Sequence, residues 1–327
     1  MRRSLASLPK IELHLHLEGC LTSAEAMRLS EKNGLAWDRP KIAALYRHAT
    51  FGEFLRHFGQ ILDFIREPED LAWLLGRVLA RLRRQGVVYA EIRISPSVWE
   101  RHGLSPLAGM EALAAARTTA PIATNFIVDA VRQWDMGLIE RDLDLACRFR
   151  RRGVVALGLG GDEAAAPAAR FMGLAQECRS RGIPLVPHAG EALGPEEVDS
   201  ALEVFSPRRI GHGIAAARSA KVLENVVRSG VHLEVCPTSN RRTGVVAKGE
   251  RHPLKELWEG GTSLSLGTDD PALFGATPCG ELRVAARCAG WGRADMARSQ
   301  AMAARAAFLS RDEKDGLERL IEAGWHP

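Results

Sequence analysis

No uncharged run in this 327-residue chain reaches the roughly 18 residues that a membrane-spanning helix needs. The opening stretch, MRRSLASLP, leads into a strand-like run without the apolar core of a secretory signal. An excess of one charge is missing too. The 44 basic residues stand against 40 acidic ones, a net of +4, so neither nucleic acid nor a membrane surface is an expected partner. Arginine runs such as RLRRQG and RFRRRG then read as solvated helix ends. The six cysteines (Cys20, Cys147, Cys178, Cys236, Cys279 and Cys288) show no paired spacing and sit mostly in apolar or helical surroundings. A reducing, cytoplasmic setting is the simpler reading, with most of them expected as inert core thiols. Linkers, low-complexity tracts and short-period repeats are also absent. What remains is a soluble, globular composition, 46% hydrophobic and 26% charged.

Eight short apolar or β-branched runs punctuate the chain. They are IELHLHL (11–17), VVYAEIRI (87–94), IATNFIVDA (122–130) and VVALGLGG (154–161), then IPLVPHAGE (183–191), RIGHG (209–213), VHLEVCPTS (231–239) and TSLSLGTDDP (262–271). Amphipathic stretches lie between them, such as EDLAWLLGRVLARLRRQG (69–86) and DLDLACRFRRRG (142–153), each closing on glycine as a helix C-terminus does. This alternation predicts an α/β fold, a (β/α)8 TIM barrel spanning 1–327 as one domain. The interval 20–86 is too long for one crossover helix. It is expected to hold extra helices, TSAEAMRLSEKNG and TFGEFLRHFGQILDFI among them, over the C-terminal face. Within it, Pro40 to Ile65, with Phe51, Phe54, Leu55, Phe58 and Ile61 on its apolar face, is expected either to act as a lid over the mouth or to pack as an ordinary helix on the barrel rim. From residue 277 the pattern is helical to the end.

The run KIELHLHLEG carries the chemistry. Residues i and i+2 of a strand share a face, so His14 and His16 project side by side, as half of a metal site would. In barrels of this kind catalytic groups sit at the C-terminal ends of strands. The polar residues expected there are His188 and Glu191 on the fifth strand, His212 on the sixth, and Asp269 and Asp270 on the eighth. Three imidazoles and a carboxylate satisfy a zinc-like ion and leave a position for water. Glu191 and His212 remain as acid–base groups, with Asp270 as an acceptor beside the metal. Each has a plainer reading alone: a strand histidine is commonly a satisfied core residue, and TDDP is commonly a turn. Chance would have to place all of them at strand ends together.

The set HLHLEG, GGDE, HAGE, RIGHG, EVCPTSN and LGTDDP, in this order from about Leu8 to about Leu309, resembles the adenosine deaminase family of the amidohydrolase superfamily. The resemblance implies one zinc ion per chain, held by His14, His16, His188 and Asp269. It implies that Glu191 donates a proton to purine N1, that His212 orients or deprotonates the attacking water, that Asp270 accepts from the N7 side, and that the Gly161 backbone meets N3. The chemistry agrees. Displacing ammonia from C6 of an aminopurine needs a hydroxide at neutral pH, which a metal supplies, and a general acid at N1 to make the ring electrophilic.

Neighbouring classes fit less well. His16-Leu17-Glu18 matches the H-x-E of cytidine-type zinc deaminases, but PCGEL (278–282) lacks the second cysteine of their P-C-x-x-C. Binuclear relatives use a bridging lysine on strand 4, and VVALGLGG has none, which favours one metal. The glycines there do not complete G-x-G-x-x-G, since Glu163 fills the last place. Histidine and carboxylate ligands also suit iron or manganese.

The substrate is less defined. Nucleoside deaminases of the family read HLDG, where the acid contacts the ribose 5′ position, whereas Glu18 is one methylene longer. Adenine deaminases share the Glu but read RIDHG where this chain has RIGHG. A nucleoside altered at its 5′ end reconciles the two, as in relatives acting on 6-amino-6-deoxyfutalosine in menaquinone synthesis, which TNFIVDAVRQW (124–134) resembles. The expected substrate is therefore a 6-aminopurine nucleoside, adenosine or the futalosine precursor, with free adenine second. A hydrolase opening a lactone or amide ring and a non-catalytic binding barrel are further alternatives.

Overall fold

The computed structural model describes residues 4–48 and 50–325. The extreme termini of the expected domain, Ala49 of the expected lid and the side chain of Phe51 lie outside the described residues. Eight parallel strands succeed one another around a nearly closed barrel. They are β1 (Lys10–His16), β2 (Val87–Ile94), β3 (Ala123–Val131), β4 (Val154–Gly160), β5 (Leu185–Ala189), β6 (Arg209–His212), β7 (His232–Val235) and β8 (Ser263–Leu266). Beyond β8 the chain returns to β1. The His16 N–H donates to Asp269 O and the Asp269 N–H donates to His14 O, both at 2.8 Å. Those two bonds draw the last strand to the first and set Asp269 against both histidines.

Three of the expected runs leave their strands early. β7 stops at Val235 because Pro237 opens a helix, Pro237–Arg242, and β8 stops at Leu266 before Pro271 opens Pro271–Phe274. Proline has no N–H to offer a ladder, and its fixed φ suits a first helical turn. β5 ends at Ala189, where Gly190 turns the chain at φ 64°. The run at 142–153 also differs: its helix is Met136–Arg148, capped by Asp135, and the last arginines form a separate turn, Arg150–Arg152.

Between β1 and β2 the chain forms α1 (Ser23–Lys32), α2 (Arg39–Ala44), α3 (Phe51–Leu62) and α4 (Pro68–Arg84). A reciprocal cap between Thr22 and Glu25 starts α1. Phe54, Leu55, Phe58 and Leu62 of α3 face a cavity at the C-terminal mouth of the barrel, while Ile61 is buried. After β2 comes a short helix, α5 (Pro96–Arg101), that walls another side of the mouth. At the opposite end, the Trp325 indole N–H donates to Pro9 O at 2.7 Å.

The barrel interior contains charge as well as hydrocarbon. Glu91, Arg93, Arg209 and Glu234 are sealed from solvent. Glu234 accepts from Arg209 Nε at 2.5 Å and from Arg93 Nη2 at 3.0 Å. Arg93 reaches on to Asp129 at 2.8 Å, and Arg209 to Glu91. Burial alone would raise Glu234, but Arg209 and Arg93 hold it well below the usual carboxylate range. Removing one partner from such a network leaves a bare charge in a low-dielectric interior, at about 3–5 kcal/mol. Arg209→Met is therefore expected to lower the unfolding free energy by that amount in urea titration. A loss under about 1 kcal/mol would mean that the interior adjusts without the cation.

Candidate active site

Three imidazoles and a carboxylate meet where the strands end. His14 Nδ1 lies 2.8 Å from Glu234 Oε2, and His188 Nδ1 lies 3.3 Å from the Leu159 carbonyl. An ionised carboxylate and a carbonyl can only accept, so each imidazole spends its proton on Nδ1. In their neutral form the two rings then turn Nε2 lone pairs toward each other, 3.1 Å apart, although against burial and Arg93 the hydrogen bonds to Asp269 and Glu234 raise His14. Asp269 Oδ1 stands 3.6 Å from His14 Nε2 and 3.4 Å from His16 Nε2. Burial keeps His16 neutral, down to about 4, and holds His188 well below the ordinary histidine value. Converging lone pairs beside an ionised carboxylate repel one another unless a cation sits among them, so the donor set fits a divalent metal. Ligand atoms of His14, His16 and His188 lie close enough for this, as do those of His14, His212, Cys236 and Asp269. Burial raises the Cys236 thiol well above its usual value, and it donates to Glu234 O at 3.6 Å. The thiol therefore stays protonated and is the poorer ligand.

The carboxylates around this cluster are driven apart. Burial would raise Asp269, but the surrounding imidazoles hold it far below the usual range. Burial, then the charge of Asp269, pushes Glu191 and Asp270 well above theirs. One carboxyl is driven down and two are driven up, a separation of the kind that divides acid and base roles at one pH. The backbone is strained here: of three non-glycine residues with positive φ among the described residues, two are His212 (61°) and Asp269 (60°). Close approach needs glycine at position 19, where a Cβ would come within 1.8 Å of Asp270 Oδ1.

His212 is oriented from behind by a chain that starts at an unambiguous donor. The Leu254 N–H donates to His252 Nδ1 at 3.1 Å. Neutral His252, held down at about 3 by burial, therefore carries its proton on Nε2 and gives it to Asn240 Oδ1, 3.1 Å away. The Asn240 amide then donates to His212 Nδ1 at 3.1 Å. His212 is left with its proton on Nε2, which has no hydrogen-bond partner among the described residues and faces Glu191 Oε2 at 3.4 Å. In that tautomer it is a donor toward the cavity.

The cavity has a volume of about 470 Å³. His16, Gly161, His188, Glu191, His212, Asp269 and Asp270 all line it, with His14 buried directly behind. Glu18, expected at the sugar end, is placed elsewhere. Its carboxyl is buried, does not line the cavity, and accepts from the Ser95 N–H at 3.0 Å and the Trp99 indole at 2.7 Å. Two residues past His16 the chain has left the strand for a tight turn, Glu18–Cys20, so strand geometry no longer directs the side chain. Burial raises it to about 7.

Several residues of the site carry little signal in the sequence. Glu163 accepts from the backbone N–H groups of Glu191, Ala192 and Leu193 at 2.9–3.1 Å, pinning the loop that carries the acid. The motif GGDE points to a glycine backbone contact and is silent on this carboxylate. Asn240 lies in EVCPTSN, and Glu234 opens the same motif. Arg93 and Asp129 have no signal beyond being polar residues in apolar runs, and His252 sits in a charged stretch, KGERHPLKE, that marks nothing.

An eight-stranded barrel with an imidazole–carboxylate cluster at its C-terminal mouth is the architecture of amidohydrolases. The adenosine deaminase family model matches residues 9–323, and the chain belongs to that family. It is 35% identical over 298 residues to an aminodeoxyfutalosine deaminase of Acidothermus cellulolyticus, covering 87% of this chain and 84% of that one. It is 31% identical over 314 residues to an adenine deaminase of Agrobacterium fabrum, covering 95% and 97%. The crystal structure of adenine deaminase from Arthrobacter aurescens superposes with a TM-score of 0.89 at 26% identity, over 97% of this chain and 98% of that one.

The hydrogen-bond chain behind His212 has a direct consequence. Asn240→Asp puts an acceptor where His212 Nδ1 meets a donor, forcing the proton onto Nδ1 and away from the cavity. It is expected to lower kcat at least about tenfold, the worth of roughly one hydrogen bond, with metal content unchanged. A variant with full kcat and its metal would show that Asn240 does not govern this tautomer.

Proposed function

We propose that this enzyme hydrolyses the 6-amino group of a purine nucleoside, adenosine or 6-amino-6-deoxyfutalosine, giving the 6-oxo product and ammonia. The observation that carries the reading is the gathering of His14, His16 and His188 about Asp269, with Glu191, His212 and Asp270 lining the same cavity and Glu191 Oε2 3.4 Å from His212 Nε2. A hydrolytic deamination of an aminopurine, the chemistry of the family, needs such an arrangement.

In this reading His14, His16, His188 and Asp269 would hold one divalent metal, zinc by the character of its ligands. Such an ion lowers the pKa of bound water to about 7. Glu191 delivers its proton to N1, which draws electrons from C6 and opens it to attack. His212, presenting Nε2–H, orients the water oxygen as it bonds to C6. Asp269 is the ionised group placed to take the proton that the water gives up. With that proton passed to N6, the C6–N6 bond breaks and ammonia leaves, and the proton still on the C6 hydroxyl returns to Glu191, which gives the 6-oxo group and restores the acid. Asp270 meets the N7 side and the Gly161 backbone meets N3, which fixes the ring plane. Burial under α3 keeps bulk water from competing.

The cavity volume favours a nucleoside over a bare base. At about 470 Å³ it falls in the range of about 300–1,000 Å³ that buries whole drug-sized ligands. Action on free adenine is the second reading, favoured by Glu18, which is turned away from any sugar. The deciding measurement is ammonia release from adenosine, 2′-deoxyadenosine, adenine and 6-amino-6-deoxyfutalosine, compared by kcat/KM. A nucleoside is expected to exceed adenine by at least tenfold, and the reverse order would establish the free-base reading.

Glu191→Gln tests the acid. The amide can still hydrogen-bond N1 but has no proton to deliver, so kcat is expected to fall by about 10²–10⁴ with metal content retained. More than about a tenth of the wild-type kcat would remove Glu191 from that role.

A further inference from the structure

The outer half of the cavity differs in chemistry from its floor. Phe54, Leu55 and Phe58 of α3 face Val98 and Trp134 across the mouth, and among the described residues Arg101 is the only lysine or arginine that lines the cavity. Its guanidinium carbon lies 4.3 Å from the Trp134 ring centroid. The acids nearest to it in sequence or at the rim are engaged elsewhere: Glu100 pairs with Arg141 at 3.1 Å, and Asp63 with His102 at 2.9 Å. Arg101 itself has no hydrogen bond or ion pair among the described residues. It is a fork of N–H donors backed by an indole at the entrance to the site.

The helix that presents it is pinned from below. Glu18 holds the Ser95 N–H and the Trp99 indole, and Asp142 accepts from the Ser97 N–H at 3.1 Å. Both carboxyls are buried. Arg101 is the last residue of α5, so its backbone position is set by these anchors. Glu18 thus acts on the mouth by holding α5, without facing the cavity.

The orientation of a substrate decides what reaches this rim. With N1 at Glu191 and C6 over the imidazole cluster, the opposite edge of a purine, bearing N9, faces outward. A ribose on N9 directs its 5′ substituent to the mouth. We infer that Arg101 and Trp134 form a subsite for a planar, carboxylate-bearing 5′ substituent, so that the preferred substrate is a 6-aminopurine nucleoside extended at 5′ by an aryl carboxylate. This rests on the nucleoside deaminase reading. The carboxylate meets the guanidinium edge in a two-pronged pair, and the aryl face packs on the aromatic side chains of the mouth. A 5′-phosphate shares the anionic chemistry, but it carries up to two charges and three oxygens. Arg101 is the only guanidinium or ammonium group among the described lining residues, beside polar Ser95, His102 and Gln133, so a dianion there keeps much of its charge unbalanced.

The test compares wild type, R101M and R101K on four probes: 6-amino-6-deoxyfutalosine, whose 5′ extension ends in a benzoate, its methyl ester, adenosine 5′-monophosphate and adenosine. In the wild type the acid is expected to exceed its ester and the monophosphate by at least tenfold in kcat/KM. In R101M the ratio of acid to adenosine should fall about tenfold to a hundredfold, the worth of a charge-assisted bidentate contact, through KM rather than kcat. R101K should restore part of that ratio. An unchanged acid-to-adenosine ratio in R101M overturns the assignment, and so does a wild type that prefers the monophosphate. Calorimetric binding of the 6-oxo product, futalosine, separates this from the activity itself. If no probe releases ammonia, the deaminase reading fails; a Kd for futalosine raised at least tenfold in R101M would still support the subsite, and an equal Kd would overturn it.

Discussion

One carboxylate, Glu234, ties the barrel to its chemistry. It stands buried inside a nearly closed ring of strands, and it remains charged because two guanidinium groups and an imidazole proton converge on it. The same contact that satisfies Glu234 takes the Nδ1 proton of His14 and so determines which nitrogen faces the cluster. Electrostatic needs of the interior and the ligand geometry of the site are therefore one set of bonds. Through Arg93 the set extends to Asp129, whose Oδ2 lies 3.5 Å from His16 Nδ1. Two of the three clustered histidines are in this way oriented by a network that begins in the barrel core.

The mouth of the barrel separates what the reaction keeps apart. Three carboxyls share one buried pocket, and the imidazoles hold Asp269 far below the usual carboxylate range. Burial and the charge of Asp269 push the other two well above it, which favours their protonated form. Strain at His212 and Asp269 is part of the same construction. Each must leave its strand at a left-handed turn to aim inward, and the hydrogen bonds around it hold the turn in place.

In the proposed reading, specificity is built on separate elements from catalysis: the reacting groups stand at or just beyond the ends of β1, β5, β6 and β8, whereas the outer wall comes from α3, α5 and Trp134. Glu18 joins the two parts, leaving the end of β1 beside the histidine cluster and clamping the start of α5. A change at Glu18 would reach a substrate through the placement of that helix, which is a different route from the direct contact its position beside the histidines suggests.

Much was legible in the chain itself. Eight apolar runs of strand length, separated by glycine-ended helices, predict the barrel because local periodicity and chain punctuation are enough to order parallel strands. The i, i+2 spacing of His14 and His16 and the strand-end positions of His188, Glu191, His212, Asp269 and Asp270 suffice to gather them, since every barrel strand delivers its end to the same face. Glu18 escaped that logic because the strand stops at His16 and a turn redirects the residues beyond it. Asn240, His252 and Glu163 escaped it because their roles lie in hydrogen bonds between separate segments of the chain, which no local pattern encodes. The sequence by itself determined which residues would stand at the barrel mouth. Only the tertiary structure decided which of them carry protons, which face the cavity and which hold the others, because desolvation and hydrogen-bond direction exist only once the chain has closed around them.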